Sequence, residues 1–523
     1  MLRALLLIFT IAPIVVWSQT CAPPAGAPIV AYPAGTFIDG VGTSDIPVTS
    51  SSEPCKKHVR QGFALIHCFW FNEAVRSFRD AVKEDPSCAI AWCGLNVAET
   101  MPWNKRSEYA QEAKYAIDQA VRRWESASPL EQRLITTFKN RDVTTDDRRS
   151  PFNNEMHKIV DDYPEAFEPR LILAGVRIQL CMADRTLPSG VVQNELVEAA
   201  RLIEPILAKD PLNPGALHYH IHAYEGSRPE KALSSARLLG QVAPASPHMV
   251  HMSGHIYNVL GMWDEANKAF ERSSAIGEEY ASKVGAKPSD ADWNYGHNRD
   301  YRGVNYAEQG RVKDAFVQCA YSGRKTALLW RVSAWKRLAE AVKNQTGGGE
   351  TAYYQGMSAA MLGNFDEAKG ALKRLLDTDG SSWGTVAKRV LETEKLELKG
   401  LVECKAGHFE EGLAGLRKAV EEFGLIEYEE PPYYFRPPQE TMGDMLIEAG
   451  RPMEAVEVFK DALKVKRNSG VLYFGIARAL EAAQETDKAR AGYEKFLTVW
   501  SKADEDLDQI VHAKRFLAST RRG

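Results

Sequence analysis

Seven of the twelve histidines fall between Gly215 and Asp300. The stretch reads GALHYHIHAYE, then SPHMVHMSGHIY, then NYGHNRDY. His218 and His222 are four residues apart, and so are His251 and His255. Residues four apart on a helix share a face, so both imidazoles can address one cation. One such pair carries little weight, because a single histidine is more often a hydrogen-bonded packing residue than a ligand. Two pairs joined by His248 and His297, on three successive predicted helices, point to a transition-metal site. Neutral imidazoles suit Zn²⁺ or Cu²⁺, and with a carboxylate also Fe²⁺.

The candidate ligands are His218, His222, His251, His255 and His297. His248, Glu225, Asp300 and Glu430 are candidates for a further ligand or for the hydrogen-bonding shell that orients the rings. Five imidazoles plus carboxylates exceed a four-ligand structural site. Either one metal keeps an open position or two metals sit close together. Tyr219, Tyr295, Tyr433 and Tyr434 are expected as aromatics of the surrounding groove. His220 faces away from His218 and His222, and His58, His67, His157, His408 and His512 are isolated, so packing is the reading for these six.

Other chemistries leave no trace. The sequence has no Gly-rich phosphate loop, nucleophile elbow or dinucleotide fingerprint, so no catalytic residue is named. A net charge of -4 without a basic excess argues against nucleic acid as a partner. Eight cysteines are too few for a disulfide scaffold at this length. One bridge among Cys55, Cys68, Cys88 and Cys93 is open, with its connectivity unreadable.

The elements that must position the histidines read as helices from Lys56 onward, with no strand signal. A chain of 523 residues exceeds one compact core, so it is either several domains or an extended array. Small residues, an aromatic and an alanine recur in fixed order: Gly62, Ala74, Phe78 and Ala81; Gly254, Gly261, Ala266 and Phe270; Gly443, Gly450, Ala455 and Phe459. The phrases GMWDEA, GNFDEA, GHFEEG and GRPMEA mark the turns between paired helices. The small residues let two helices approach closely and the aromatic fills the groove between them.

This pattern resembles the tetratricopeptide repeat, a helical hairpin of about 34 residues. The resemblance covers roughly residues 56 to 500 and implies an all-α, right-handed superhelical solenoid. It also implies that the first helix of each hairpin lines a concave groove. His248, His251 and His255 stand six before, three before and one after Gly254, and His297 stands six before Gly303. The histidines of three neighbouring hairpins are therefore expected to converge on one point. The segments HYHIHAYE, HMSGHIY, GHNRD and EEPPYYFRPP are also similar to a set of exported bacterial tetratricopeptide proteins that share such phrases. In that set a second histidine often follows the HN phrase, where Asp300 stands here.

The remaining organisation is simpler. Residues 1–18 read as a signal peptide, with Arg3 ahead of the apolar run Ala4 to Trp17, which is too short to span a bilayer. The expected location is periplasmic or extracellular, with no membrane span after cleavage. Residues 19–55 are rich in Pro, Gly, Ser and Thr and are expected to be a flexible leader. The solenoid is expected over 56–520, with the histidine-rich repeats at 212–311. Degraded repeats are expected as helices near 108–124, 129–139, 152–162, 168–181 and 195–209. The first functional reading is an exported repeat protein with a metal in its groove. The alternatives are a metal-dependent hydrolase or oxidoreductase, and a metal-free scaffold that grips a peptide or protein.

Overall fold

The computed structural model describes residues 30–104, 107–142, 150–183, 189–319, 322–426, 430 and 436–520. The expected signal peptide lies outside these residues, as do Tyr433 and Tyr434. Among the described residues the fold is all-α, with 26 α-helices and no strand. The helices pair as antiparallel hairpins that stack into a right-handed superhelical solenoid.

Each turn phrase joins two helices. GMWDEA links Pro247–Val259 to Trp263–Lys283, and GNFDEA links Glu350–Met361 to Phe365–Leu376. GHFEEG and GRPMEA do the same for Thr385–Lys405 with Phe409–Phe423, and for Gln439–Glu448 with Pro452–Val465. Inside the hairpins, the small residue and the aromatic meet as the spacing requires. A Cβ built on Gly254 would stand 2.3 Å from Phe270 Cε1, and one on Gly443 would stand 2.3 Å from Phe459 Cζ. Contacts that short leave room for hydrogen alone, so glycine is what lets the two helices close on the ring.

The degraded stretch is helical where expected: Ala110–Arg122, Pro129–Lys139, Pro151–Asp162, Phe167–Ala183 and Ser189–Lys209. The leader differs from its expectation over residues 30–52. It forms no regular structure, yet Val41 and Ile46 are buried. Its backbone is held by side chains of the helices it crosses: Tyr32 N–H donates to Glu73 (2.6 Å), Ile38 N–H to Gln61 (2.7 Å) and Thr49 N–H to Glu131 (2.8 Å). Asp45 in turn accepts from Phe167 N–H at the start of Phe167–Ala183 (2.9 Å). Composition reported the missing helical period and not these long-range acceptors.

The apolar core forms two main blocks, one from Val41 to Ala291 and one from Val304 to Ala513. The superhelix brings the last repeats back against the histidine repeats. Trp263 Nε1–H donates to the Asn468 carbonyl (3.0 Å), Asn468 Nδ2–H to the Gly261 carbonyl (2.8 Å), and Trp500 Nε1–H to the Glu308 carbonyl (2.9 Å). Gly261 has φ +70°, and a Cβ there would lie 2.3 Å from the Arg467 carbonyl oxygen. The turn that follows His255 is thus braced from the far end of the chain.

Candidate metal centre

Three helices carry the cluster: Pro214–Tyr224, Pro247–Val259 and Asn294–Glu308. The first two begin alike. Asn213 accepts from Ala216 N–H (3.0 Å) and Ser246 from Met249 N–H (3.3 Å), each before a proline at the first helical position. Caps of this kind fix where a helix starts, and so fix the face on which later residues fall. His218 and His222 stand four and eight residues after Pro214, and His251 and His255 stand four and eight after Pro247.

Donor atoms gather in three buried groups, each with its atoms within 4.8 Å of one another: His218, His222 and His248; His251, His255 and His297; His222, Glu225 and Glu430. These groups could hold a metal. The six histidines are buried to within 3% of complete.

The outward nitrogens are tied down. His218 Nδ1–H donates to the His67 carbonyl (2.7 Å), and His251 Nδ1–H to Asn298 Oδ1 (2.8 Å). His222 Nδ1–H and His255 Nδ1–H donate to the two oxygens of Glu225, at 2.9 Å and 2.7 Å. Asn298 is itself oriented, because its Nδ2 donates to the Phe270 carbonyl and to Ser274 Oγ, both at 2.8 Å. A carbonyl, carboxylate or amide oxygen only accepts, so each of these four rings carries its proton on Nδ1. Their Nε2 lone pairs then point inward. Nε2 of His218 meets Nε2 of His248 at 3.1 Å, and Nε2 of His255 meets Nε2 of His251 at 2.7 Å. Neither ring nitrogen of His297 has a hydrogen-bond partner among the described residues.

Electrostatics favour neutral rings. Burial, followed by neighbouring imidazoles, holds His218, His248 and His251 well below the usual imidazole range. Burial does the same to His297, with His255 and Arg324 adding to it, and holds His222 at about 4. Glu430 is pushed up to about 7 by burial and by Glu225. Its carboxylate lies 3.8 Å from His255 Nδ1. Uncharged imidazoles with aligned lone pairs are what a cation needs, and their mutual repulsion is what it would relieve.

The structure differs from the sequence expectations at several residues. The histidines gather in two groups of three rather than about one point, and His248 is a full member of the first. They lie in the sealed interior rather than on an open groove wall. Asp300 joins none of the three groups and faces Arg324 at 4.0 Å, because it falls one turn beyond His297. Tyr295 turns outward and donates to Glu278 (2.8 Å). Tyr219 is fully buried, with its hydroxyl at 2.9 Å from His67 Nδ1. His67, read as isolated, sits against the cluster: its Nε2 lies 2.8 Å from Glu168 and its carbonyl orients His218. Asn294, Asn298, Phe69 and Tyr301 were not singled out, and the period-three spacing of Asn294, His297, Asp300 and Gly303 was the signal that Asn294 shares their face.

Stacked helical hairpins around a buried polyhistidine cluster define the class. Tetratricopeptide-repeat family models match residues 441–504 and 350–382, both in the C-terminal half. Those two stretches carry tetratricopeptide repeats. Solved structures similar to it include a chain of the APC/C hetero-tetramer Cut9–Hcn1, at 14% identity over 89% of this chain and 75% of that one, with a TM-score of 0.31. A tetratricopeptide repeat protein from Parabacteroides merdae is 14% identical over 66% of this chain and 99% of its own, with a TM-score of 0.25. Yeast Tom70 is 11% identical over 89% and 96%, with a TM-score of 0.29. Comparison with curated proteins gives no match.

Proposed function

We propose that this chain is an exported repeat protein that binds transition-metal ions in the histidine cluster of its central repeats. The observation that carries this reading is the orientation of the rings. Four Nδ1–H groups donate outward to fixed oxygens, leaving the Nε2 lone pairs of His251 and His255 opposed at 2.7 Å inside a buried core. A structural core has no use for that arrangement, since bare lone pairs in a low dielectric repel. Metal-bound histidines use it routinely, donating the second ring nitrogen to a carbonyl or carboxylate. Imidazole donors favour Zn²⁺ or Cu²⁺, with Fe²⁺ admitted if Glu225 or Glu430 joins.

The test is elemental analysis of protein purified without chelator, then titration of the stripped protein with Zn²⁺ and Cu²⁺. Retention of metal supports the reading. A protein that holds none and gains none overturns it. Export is checked separately by N-terminal sequencing of material recovered outside the cytoplasm, with a start near Gln19 expected.

A second reading is a protein-binding scaffold, which the repeat family itself favours. It has its own surface: a groove of about 260 Å³ lined by Trp335, Arg436, Asp444, Phe474, Arg478 and His512. None of the residues of the three donor groups lines it, so the two roles are compatible. No helix among the described residues is long and apolar enough to cross a membrane.

A further inference from the structure

We infer that the two histidine triads form one dinuclear centre, in which two metal ions sit side by side and bind a single small anionic ligand between them. This rests on the metal reading above and goes beyond it in number, arrangement and ligand class.

The triads are copies of one another. Each takes a His-x-x-x-His pair from one helix and one histidine from the next: His218 and His222 with His248, then His251 and His255 with His297. The paired histidines of the two copies are thirty-three residues apart and hold the same places after an N-terminal proline. Each triad is also backed by one aromatic ring. Phe69 lies 4.6, 5.7 and 5.4 Å from the rings of His218, His222 and His248. Tyr301 lies 5.4, 4.3 and 5.2 Å from those of His251, His255 and His297. The repeat has therefore generated two sites of the same composition. Equal donor sets predict equal occupancy, and two ions follow.

The sites adjoin. His248 of the first and His251 of the second are three residues apart on one helix, with rings stacked at 5.9 Å. One carboxylate spans both: Glu225 accepts from His222 with one oxygen and from His255 with the other. Three protein nitrogens leave a four-coordinate ion one position short. Phe69 and Tyr301 back the rings, and the His248–His251 ring contact and the shared Glu225 make the neighbouring triad the adjacent donor group for that position.

Charge selects what fills it. Six neutral imidazoles bring no negative charge, whereas two divalent ions bring four positive charges into a sealed interior. Nearby ions of like charge repel strongly there. Glu225 and Glu430 offset part of this, and a shared anion between the ions offsets more. The ligand class is a small anion with a donor atom at each end or one shared oxygen: hydroxide, azide or a carboxylate. The buried, unpartnered nitrogens of His297 are an independent sign that a ligand belongs at the second triad.

The experiment titrates the stripped full-length protein with Cu²⁺, counts bound copper, and compares it with the integrated electron paramagnetic resonance signal. Azide is then added. Two copper ions per chain, a signal well below the copper count or a half-field transition, and one azide per copper pair are expected. The variant His218→Ala/His248→Ala should bind one copper with full signal intensity, its fold checked by circular dichroism. If it does not fold, the wild-type copper, spin and azide counts decide the matter alone. One copper per chain in the wild type overturns the dinuclear centre and leaves the metal reading standing. No copper overturns both. Two copper ions with full, uncoupled signal and two azides make the triads independent sites, and the inference fails.

Discussion

His251 and His255 direct their Nε2 atoms at each other across 2.7 Å, while their Nδ1–H groups donate away, to Asn298 and Glu225. The opposed lone pairs are the local reason to expect a cation. The double substitution His251→Ala/His255→Ala should remove the metal held by the second triad. Both rings are fully buried, so the change also leaves a cavity and lowers the melting temperature. Far-ultraviolet circular dichroism should remain helical. His58→Ala should leave metal content unchanged, because His58 stacks on Phe37 at 4.1 Å, in the leader. Full metal occupancy in the double variant would remove this pair from the ligand set.

His297 gives a test in which the sign depends on metal. Both of its nitrogens are buried without a partner, a condition that costs about 1–3 kcal/mol. His297→Leu should therefore stabilise the metal-free protein and weaken metal retention. Thermal melts of stripped and loaded protein, wild type and variant, measure both effects. A variant that is less stable without metal would mean that His297 is satisfied by ordered water.

Much of the fold was legible because its cause is local. The phrases GMWDEA and GRPMEA carry turn and helix-start chemistry in six residues, and Gly254 with Phe270 carries the hairpin contact at a fixed spacing. The ligand histidines were legible for the same reason, since four-residue spacing on one helix is a local property. Their division into two triads depends on how successive hairpins rotate, which no spacing encodes. His67 and Phe69 approach the cluster from across more than a hundred residues of intervening chain, and Glu168 reaches His67 across a similar span. The packing of residues 30–52 was hidden likewise, because Glu73, Gln61 and Glu131 supply its acceptors from other helices.

Glu225 holds both triads in register through its two oxygens. Glu225→Gln keeps the shape but offers one acceptor and one donor in place of two acceptors. Either His222 or His255 then loses its orienting bond. Outer hydrogen bonds of this kind are worth about 10–100-fold in metal affinity. A drop of that size, measured by competition with a chromophoric chelator, is expected with little change in helicity. Unchanged affinity would show that packing alone holds the rings.

Gly254 stands between His251 and His255, and its missing side chain makes room for Phe270. Phe270 in turn packs on His251 at 5.3 Å, and its carbonyl orients Asn298. Gly254→Ala should cost on the order of 1–3 kcal/mol through overpacking. It should also weaken metal binding, although no ligand is altered. Gly443→Ala makes the equivalent clash with Phe459, in a hairpin that carries none of the cluster histidines. It should lower stability and leave metal affinity alone. If both variants bind metal alike, the hairpin contact does not set the geometry of the site.

The stability of the metal-free protein should fall in acid, with the histidines as the cause. In the unfolded chain an imidazole titrates near about 6.5. In the fold His218, His248, His251 and His297 are held well below that, and His222 at about 4. As pH falls from about 6.5 toward 4 the unfolded chain binds protons that the folded chain refuses, so unfolding becomes easier. Above about 7 both states are neutral at these groups and the contribution is complete. Glu430, pushed up to about 7 from an ordinary value near 4.5, works in the opposite direction. It favours the fold at low pH and loses that contribution as pH rises through 7, but it is one group against five. Denaturant melts of stripped protein between pH 4 and 8 should therefore lose stability mainly below pH 6.5. Saturating Zn²⁺ should add stability across that range and so move the midpoint of acid unfolding to lower pH, while the onset stays where the unfolded chain's imidazoles titrate. An acid-unfolding midpoint that is the same with and without Zn²⁺ would detach these histidines from metal binding.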